Sequence, residues 1–383
     1  MKIVVNTIST KKGSGGAFQI AYNFILATLK YPIDDIEWIY FTSEDVDGAV
    51  GNLFVGNSNY FVFPTQPNFK NSYFRVKKEL VDLENKIKPD LIYTISSPCY
   101  FTFKTPEVMR FANAWVTNPN KYAWKSLSFR GKIRMFCYCS YQRFLLRNAK
   151  YIVTQSETVK QGLLKIINTK EENIKVVPNV LPDLFSSVEV NKQIDSSWVD
   201  VACIAAPTPH KNTDIIADVL KVLKEKYNLS NIRFHITLPK DSLCCKELFA
   251  KALKYGVADN IVNCGRCSQL ELVDIYSKCI FCFLPSLLET FSASSLEAMY
   301  FGLNIVASDF SFNREVIADS GLYFRPMDSE DAADKIHSLI VDAFERDSLK
   351  EKMLARLSIY KDYKTHFDLI VSFLKKVVYE KNN

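Results

Sequence analysis

The sequence has no hydrophobic run long enough to span a membrane. Its longest apolar stretch, residues 279–288, is about half the length of the roughly 20 residues that a transmembrane helix needs. The first residues, 2–6, predict a β-strand followed by a glycine-rich turn, a pattern unlike that of a secretory signal. We therefore expect a cytoplasmic protein.

Histidine is scarce, and its distribution excludes the common hydrolase arrangements. The 383 residues include 4 histidines, all in the second half of the chain: His210, His235, His337 and His366. We identify no Ser-His-Asp or similar set of nucleophile and base among them. His235 lies in a predicted strand and is interpreted as a packed side chain and not a catalytic one.

Ten cysteines are present, and two pairs have the spacing of zinc ligands, Cys264-x2-Cys267 and Cys279-x2-Cys282. The second pair, however, belongs to a predicted buried strand, in which residues three apart point to opposite faces. Without an export signal, disulfides are not expected either. The cysteines are therefore predicted to be free core residues, with no metal bound.

Short apolar strands alternate with longer amphipathic segments throughout, which predicts α/β structure with parallel sheets wrapped by helices. A length of 383 residues favours two domains of roughly 180 residues each. A proline-bounded segment at 175–182 and the polar stretch after it place the boundary between domains 1–183 and 184–359. Each domain is predicted to be doubly wound and Rossmann-like. Ligands bind at the carboxyl ends of parallel strands, so we expect a cleft between the domains.

The predicted strands follow this alternation in both halves. They are residues 2–6, 38–42, 60–63, 91–95, 108–112 and 151–154, a short strand early in 175–182, and then 199–205, 233–237, 261–264, 279–284, 304–307 and 321–324.

Two glutamates follow one of these strands. The strand ends near Leu284, a loop carries Glu289, and a helix is predicted from Ser292 with Glu297 inside it. Carboxylates accept paired hydrogen bonds from vicinal hydroxyls, and amides at a helix start bind phosphate. The structural alternative is that Glu289 caps the helix and Glu297 faces solvent, and the spacing alone does not decide between the two.

The surrounding residues resemble the donor-binding core of family 4 glycosyltransferases, which have the two-domain GT-B fold. The resemblance rests on 285–291, 296–299, Gly302, 306–309, 314–316 and 321–326 and extends upstream to Gly265. It implies transfer of a hexose, with retention of configuration, from a GDP- or UDP-linked sugar to a glycan or lipid-linked acceptor in surface polysaccharide synthesis. It also implies that a helix at about 360–383 packs back on the first domain.

The resemblance assigns roles to individual residues. It implies that Glu289 binds the transferred hexose and, with Lys211, forms the catalytic pair, while Glu297 binds the nucleotide ribose. The implied donor-binding residues are Glu297, Thr290, Phe291, Ser292, Gly15, Gly16, Gly265 and Arg266.

Lys211 lies in the run 205–212, which resembles the phosphate-binding loop of the family. The family commonly has an arginine five residues before this lysine, where this chain has Ala206. Three explanations stay open: Lys211 acts with a helix N-terminus alone, Arg266 or Arg314 compensates, or the diphosphate is held less tightly.

In the first half, residues 13–16 correspond to the glycine loop that the family places near the donor phosphate and the acceptor. Many family members carry a histidine near the reacting sugar, where this chain has Asn113, our acceptor-side candidate. The retaining mechanism proposed for such enzymes needs no separate base, because the leaving diphosphate oxygen accepts the proton. The resemblance also implies no metal and no other cofactor.

Residues 108–156 contain no acidic residue, and their basic residues are interleaved with aromatic ones. This composition favours contact with an anionic membrane surface. The resemblance implies that this surface is the inner membrane face, where the protein would be peripheral. The alternative is a core helix with a solvated basic edge. Nucleic acid is not an expected partner, because the net charge is only +6 and no nucleic-acid-binding motif accompanies it.

Two other functions are considered. A sugar-nucleotide epimerase would share the fold and would need acid and base residues in the cleft. The resemblance of the residues around Glu289 to family 4 glycosyltransferases argues against it. A non-catalytic protein that binds a nucleotide sugar is compatible with Ala206 and with the missing histidine.

Overall fold

The computed structural model describes residues 1–12, 16–67, 72–181, 185, 188, 191–360 and 362–382. The chain forms two compact units. The first contains Met1–Thr117, Phe136–Pro178 and Lys364–Asn383, and the second contains Asn118–Met135 and Asn179–Tyr363.

The division differs from the predicted one in two places. The chain enters the second unit after Pro178, a few residues before the predicted boundary at 183. Residues 118–135, predicted in the first domain, are grouped with the second unit. Contacts explain this: the Asn120 side chain donates a hydrogen bond to the Leu287 carbonyl at 2.7 Å, and the Tyr122 ring packs edge-on against Phe310 at 5.8 Å.

Each unit is built on one parallel sheet. The first has seven strands in the order β3-β2-β1-β4-β5-β6-β7, and the second has six in the order β10-β9-β8-β11-β12-β13. The strands are β1 Lys2–Asn6, β2 Glu37–Ser43, β3 Tyr60–Phe63, β4 Leu91–Thr94, β5 Glu107–Arg110, β6 Tyr151–Thr154, β7 Ile174–Val176, β8 Val199–Cys203, β9 Ile232–Ile236, β10 Ile261–Asn263, β11 Phe281–Leu284, β12 Asn304–Ser308 and β13 Gly321–Phe324.

Helices connect the strands, as parallel sheets require. Those described are α1 Gly16–Lys30, α2 Glu44–Val50, α3 Tyr73–Ile87, α4 Ala114–Thr117, α5 Lys121–Lys125, α6 Phe129–Leu146, α7 Glu157–Leu164, α8 Ile215–Tyr227, α9 Leu243–Tyr255, α10 Gln269–Lys278, α11 Ala293–Tyr300, α12 Ser311–Ile317, α13 Ser329–Val341, α14 Ala343–Leu357 and α15 Tyr363–Asn382.

The doubly wound α/β prediction is confirmed by these two sheets. Strands buried on both faces read as continuous apolar runs, and β4, β6 and β11 are buried at every residue. Because that signal is strong, all the predicted strands form, with ends within two residues of those predicted.

Local sequence fixes how the chain enters α10, the helix after β10. Ser268 is its N-cap and forms a capping box with Glu271, in which each side chain bonds the other residue's backbone amide. Such a box satisfies two amides that the helix start leaves without partners. The loop 264–267 is thereby held at a defined angle to α10.

The C-terminal helix α15 packs within the first unit. Phe367 lies 5.4 Å from the ring of Phe24 and 6.3 Å from that of Trp38. Lys375 forms an ion pair with Asp35 at 2.7 Å. The helix therefore belongs to the unit formed by the start of the chain.

Candidate functional site

Lys211 and Glu289 form an ion pair in the second unit. Lys211 ends a short 3-10 turn, Pro209–Lys211, that follows β8, and Glu289 lies in the loop after β11. β8 and β11 are neighbours in the sheet, so both loops leave its carboxyl edge side by side. Their side chains are 21% and 14% exposed, so the pair remains open to a ligand.

Backbone bonds hold the two loops together around this pair. The amide of Leu287 donates to the carbonyl of His210 at 2.7 Å, and the Asn212 side chain donates to the carbonyl of Pro285 at 3.3 Å. Asn120 bonds Leu287 from a third segment at 2.7 Å. The two loops that carry the ion pair are therefore held in a fixed arrangement by the protein itself.

His210 lies beside the pair but adds no charge at neutral pH. Burial lowers the pKa of His210 to about 4, and the charge of Lys211 acts in the same direction while Glu289 opposes it. A neutral imidazole does not compete with Lys211 for an anion.

Glu297 lies on α11 and accepts a hydrogen bond from the hydroxyl of Tyr276 at 2.6 Å. Burial raises the pKa of Glu297, and the Tyr276 hydroxyl partly offsets this rise. Glu297 is half-buried, which rules out the alternative of a helix residue that faces solvent. Tyr276, on α10, was missed by the sequence analysis because an apolar helix face gives no sign of which residue a buried tyrosine bonds.

The three residues before α11 differ in what their side chains offer. Phe291 is 7% exposed and packs edge-on against Tyr360 at 5.8 Å, so only its backbone is available to a ligand. Ser292 occupies the N-cap of α11, where the sequence predicts the helix to start, but its side chain makes no capping hydrogen bond. Thr290 is half-buried beside Glu289.

Arg266 and Arg314 are the two arginines suggested to compensate for the arginine that this chain lacks at Ala206. They differ in whether each already has a partner. Arg314 holds Asp309 with two hydrogen bonds, one of 2.8 Å from Nη2, and its guanidinium lies 4.3 Å from the centre of the Tyr323 ring. Arg266 is exposed and forms no ion pair within the described ranges. Gly265, just before it, has a φ of +73°, a conformation that favours glycine. Arg266 is thus the uncommitted cation of the two.

The remaining predicted residues lie in the first unit. Gly16 begins α1, and a side chain at this position would meet no other atom within 4 Å; Gly15 lies outside the described residues. Asn113 caps α4, with its side-chain oxygen accepting from the amide of Trp115 at 3.1 Å.

The cysteines form no metal site in the part of the chain that the structure describes. Cys279 and Cys282 are both buried in the same apolar cluster. The prediction that they point to opposite faces of one strand was wrong, because β11 begins at Phe281, after Cys279. In the first unit, Asp45 accepts a hydrogen bond from the Lys12 amide at 2.8 Å, and Asp47 accepts one from the Tyr60 hydroxyl at 3.1 Å.

Within the basic, aromatic segment 108–156, the part Phe129–Leu146 forms α6, which has one buried face and one exposed apolar face. Cys139, Gln142 and Leu146 are buried. A second face carries side chains that are each more than half exposed, Phe129, Ile133, Phe136 and Phe144. These four side chains are therefore not core residues. Among the described helices, none is both long enough and apolar enough to cross a bilayer.

Comparison with known proteins gives a family match within the second unit. Residues 191–356 match the family described as glycosyl transferases group 1. The O-antigen chain mannosyltransferase RfbU of Salmonella typhimurium is 28% identical over 199 residues, which are 50% of this chain and 52% of that protein. The chain therefore spans about half the length of this curated relative.

Solved structures match almost the whole chain. Anabaena HepE in complex with UDP and glucose has a TM-score of 0.69 at 17% identity, over 98% of this chain and 100% of that one. WaaG, a glycosyltransferase involved in lipopolysaccharide biosynthesis, has a TM-score of 0.70 at 14% identity, over 96% and 98%. At such identities the likeness shows the fold alone, and this fold is GT-B. The family match adds that the second unit is similar to the group 1 glycosyl transferases over residues 191–356.

Proposed function

We propose that the protein is a metal-independent, retaining glycosyltransferase of the family 4 type. It transfers a hexose from a nucleotide diphosphate sugar to a glycan or lipid-linked acceptor during lipopolysaccharide or related surface polysaccharide synthesis. The observation that carries the proposal is the Lys211–Glu289 ion pair on the loops after β8 and β11.

The pair suits a sugar diphosphate because each member offers one of the two interactions that the donor needs. An ammonium group stabilises the negative charge that develops on a leaving diphosphate. A carboxylate accepts hydrogen bonds from sugar hydroxyls. Without donor the two groups neutralise each other, and a bound diphosphate would draw Lys211 away and free Glu289 for the sugar.

Glu297 supports the nucleotide half of the proposal. One of its oxygens accepts from Tyr276, and no other hydrogen bond to this carboxylate is found among the described residues. Its second oxygen is therefore available to a ribose hydroxyl. The Ser292 side chain does not cap the N-terminus of α11. This helix start favours a phosphate through its amides and the helix dipole.

The relatives support the substrate class and the pathway. HepE was solved with UDP and glucose, RfbU is named as an O-antigen mannosyltransferase, and WaaG as a glycosyltransferase of lipopolysaccharide biosynthesis. We extend this to an acceptor that is a glycan or is lipid-linked. For such an acceptor the exposed apolar face of α6, flanked by Arg130, Lys132 and Arg134, suits attachment to anionic lipid.

The experiment that tests the proposal is a thermal-shift screen of the full chain against UDP- and GDP-linked hexoses, followed by detection of nucleoside diphosphate release. A ligand at 100 times its dissociation constant should stabilise the chain by about 2.7 kcal/mol. Stabilisation with release supports the transferase. If donors stabilise the chain but no nucleoside diphosphate is released, even after glycan or lipid-linked acceptors are added, the result supports a non-catalytic binding protein instead.

A further inference from the structure

A cavity lies at the edge of the second sheet that is opposite to the Lys211–Glu289 pair. Its wall includes the first residues of three strands, Val199 of β8, Phe281 of β11 and Asn304 of β12. Lys211 and Glu289 follow the carboxyl ends of β8 and β11, so the length of these strands separates the two places. The cavity has a volume of about 380 Å³, which is within the usual range for small-molecule sites.

Three basic side chains line this cavity. Lys192 precedes β8, and Arg346 and Lys350 lie on α14. Among the described residues, no acidic side chain lines the cavity with them. Cations gathered in one cavity repel each other and attract anions. The charge of the cavity wall therefore favours a negatively charged ligand.

Lys192 is held by uncharged partners. Its ammonium donates hydrogen bonds to the carbonyls of Cys279 at 3.1 Å and Tyr276 at 3.4 Å, and it forms no ion pair within the described ranges. Burial lowers the pKa of Lys192 to about 8, and the like charge of Lys350 acts in the same direction, while Cys279 opposes both. An anion bound beside Lys192 would supply the opposite charge that the protein does not.

The two cations on α14 differ in how firmly they are placed. Arg346 Nη1 donates to the carbonyls of Leu339 at 2.6 Å and Ile340 at 2.9 Å, in the last turn of α13. These bonds orient the guanidinium and leave its other nitrogens as donors for a phosphate. Lys350 has Asp347 as a partner at 3.8 Å, with side chains that are 49% and 75% exposed. Such an ion pair contributes little, so Lys350 can exchange Asp347 for a ligand.

Asn304 adds a hydrogen-bond acceptor to the wall of the cavity. The residue is 1% exposed, and its carboxamide oxygen Oδ1 is buried with no hydrogen-bond partner in the described part of the chain. Buried acceptors normally have a donor, and one without a donor costs free energy. A hydroxyl group of a ligand would supply this donor. Val199, Ile280 and Phe281 form an apolar part of the same wall, which suits the carbon atoms of a ring.

We propose that this cavity is a second small-molecule site, which binds a phosphate monoester of a sugar. The phosphate group lies among Lys192, Arg346 and Lys350, and a sugar hydroxyl donates to Asn304 Oδ1. The cations account for the phosphate and the amide oxygen for the hydroxyl. The proposal goes beyond the proposed function, because it requires no donor at the Lys211–Glu289 pair.

The test is isothermal titration of the full chain with glucose 6-phosphate, inorganic phosphate and glucose, at constant pH and ionic strength. We expect glucose 6-phosphate to bind more tightly than inorganic phosphate, and glucose not to bind. Arg346→Gln and Lys350→Gln should each weaken the binding of glucose 6-phosphate by about tenfold, because each removes a charge-assisted contact. Lys254→Gln, at an exposed lysine on α9, is the matched control and should bind like the wild type.

Asn304→Leu tests the contact to the sugar. This variant should bind inorganic phosphate as the wild type does and should lose the preference for glucose 6-phosphate. A preference that survives Asn304→Leu, or equal binding of the two phosphate compounds by the wild type, contradicts a sugar phosphate as the ligand. No binding of either compound, or an affinity that neither Arg346→Gln nor Lys350→Gln changes, would overturn the proposed site.

Two further measurements separate this site from the candidate donor site and from loss of folding. Lys211→Gln should bind glucose 6-phosphate like the wild type, and a loss in this variant alone would place the phosphate at the Lys211–Glu289 pair and overturn the proposal. Melting temperatures report folding, and if Arg346→Gln melts early, Lys350→Gln decides. A chain that binds glucose 6-phosphate in the cavity but neither UDP nor GDP contradicts the proposed function and leaves the second site standing.

Discussion

The ammonium of Lys211 and the carboxylate of Glu289 pair across two loops that leave adjacent parallel strands. Seventy-eight residues separate them in the chain, so the sheet, and not local sequence, brings them together. Their partial exposure allows each to exchange its partner for a ligand group. The predictions below begin from this pair.

Replacing Lys211 with glutamine should weaken the binding of a nucleoside diphosphate by about tenfold or more, because one charge-assisted contact to phosphate is lost. The unphosphorylated nucleoside should bind as before. Isothermal titration with both ligands measures the two effects, and Lys240→Gln, a change at an exposed lysine beyond β9, serves as the control. An equal loss for nucleoside and diphosphate would contradict a phosphate role for Lys211.

Tyr276→Phe should destabilise the second unit by about 1–3 kcal/mol, because it leaves the Glu297 carboxylate without its hydrogen-bond donor. Tyr300→Phe is the matched control. Among the described residues, the Tyr300 hydroxyl donates one long hydrogen bond, of 3.4 Å, to the Val188 carbonyl, and the loss of this bond should cost less. Urea unfolding of both variants makes the comparison. A Tyr276 variant as stable as the Tyr300 variant would show that the 2.6 Å bond to Glu297 contributes little.

His366 should make the first unit sensitive to acid. Burial and the charge of Arg110 lower the pKa of His366 to about 4. The hydrogen bond from His366 Nδ1 to the Pro178 carbonyl, at 2.8 Å, has a smaller, opposite effect on this pKa. With the pKa lowered in the folded state, the unfolded chain binds more protons between pH 6.5 and 4. The contribution to stability is therefore present above pH 6.5 and is lost as pH falls towards 4, by up to about 3 kcal/mol.

Melting temperatures of the wild type and His366→Gln between pH 7 and 4 measure this effect. The difference between the two proteins should shift in favour of the variant as the solution becomes acidic. A difference that stays constant over this range would mean that His366 titrates alike in the folded and unfolded chain.

The exposed face of α6 should bind anionic lipid. In flotation with vesicles, the wild type should bind phosphatidylglycerol-containing vesicles more strongly than neutral ones, because the surrounding residues are basic and none is acidic. The double variant Phe129→Ser with Phe136→Ser should lose at least about tenfold in binding, since each aromatic side chain buries apolar area in the interface. Phe344→Ser, at a phenylalanine that is 85% exposed on α14, should bind like the wild type. Equal binding to neutral vesicles, or none to either, would refute the membrane surface.

The sequence predicted the two sheets well because parallel strands are buried on both faces and read as short apolar runs. It also predicted Glu289 and Lys211 at strand ends, where the fold places ligand-binding residues. The grouping of residues 118–135 with the second unit was not predictable, because long-range contacts, such as the hydrogen bond from Asn120 and the packing of Tyr122, leave no local pattern in the sequence.

Partners of polar side chains were the least predictable feature. Arg314 is paired with Asp309, and Tyr276 with Glu297, through contacts that no periodicity encodes. The position of Cys279 shows a related difficulty. Nothing in the apolar run 279–284 indicates where α10 ends and where β11 begins. The predicted alternation of its side chains was therefore wrong.

The most direct test of the proposed transfer compares the wild type with Glu289→Gln in the release of nucleoside diphosphate from UDP- and GDP-linked hexoses. We predict release by the wild type from at least one donor. The variant should be slower by roughly 10²–10³-fold, the cost of removing one group that stabilises the transition state, without weaker binding of the nucleoside diphosphate. Equal release by the two proteins, or binding of donors with no release by the wild type, would contradict the account.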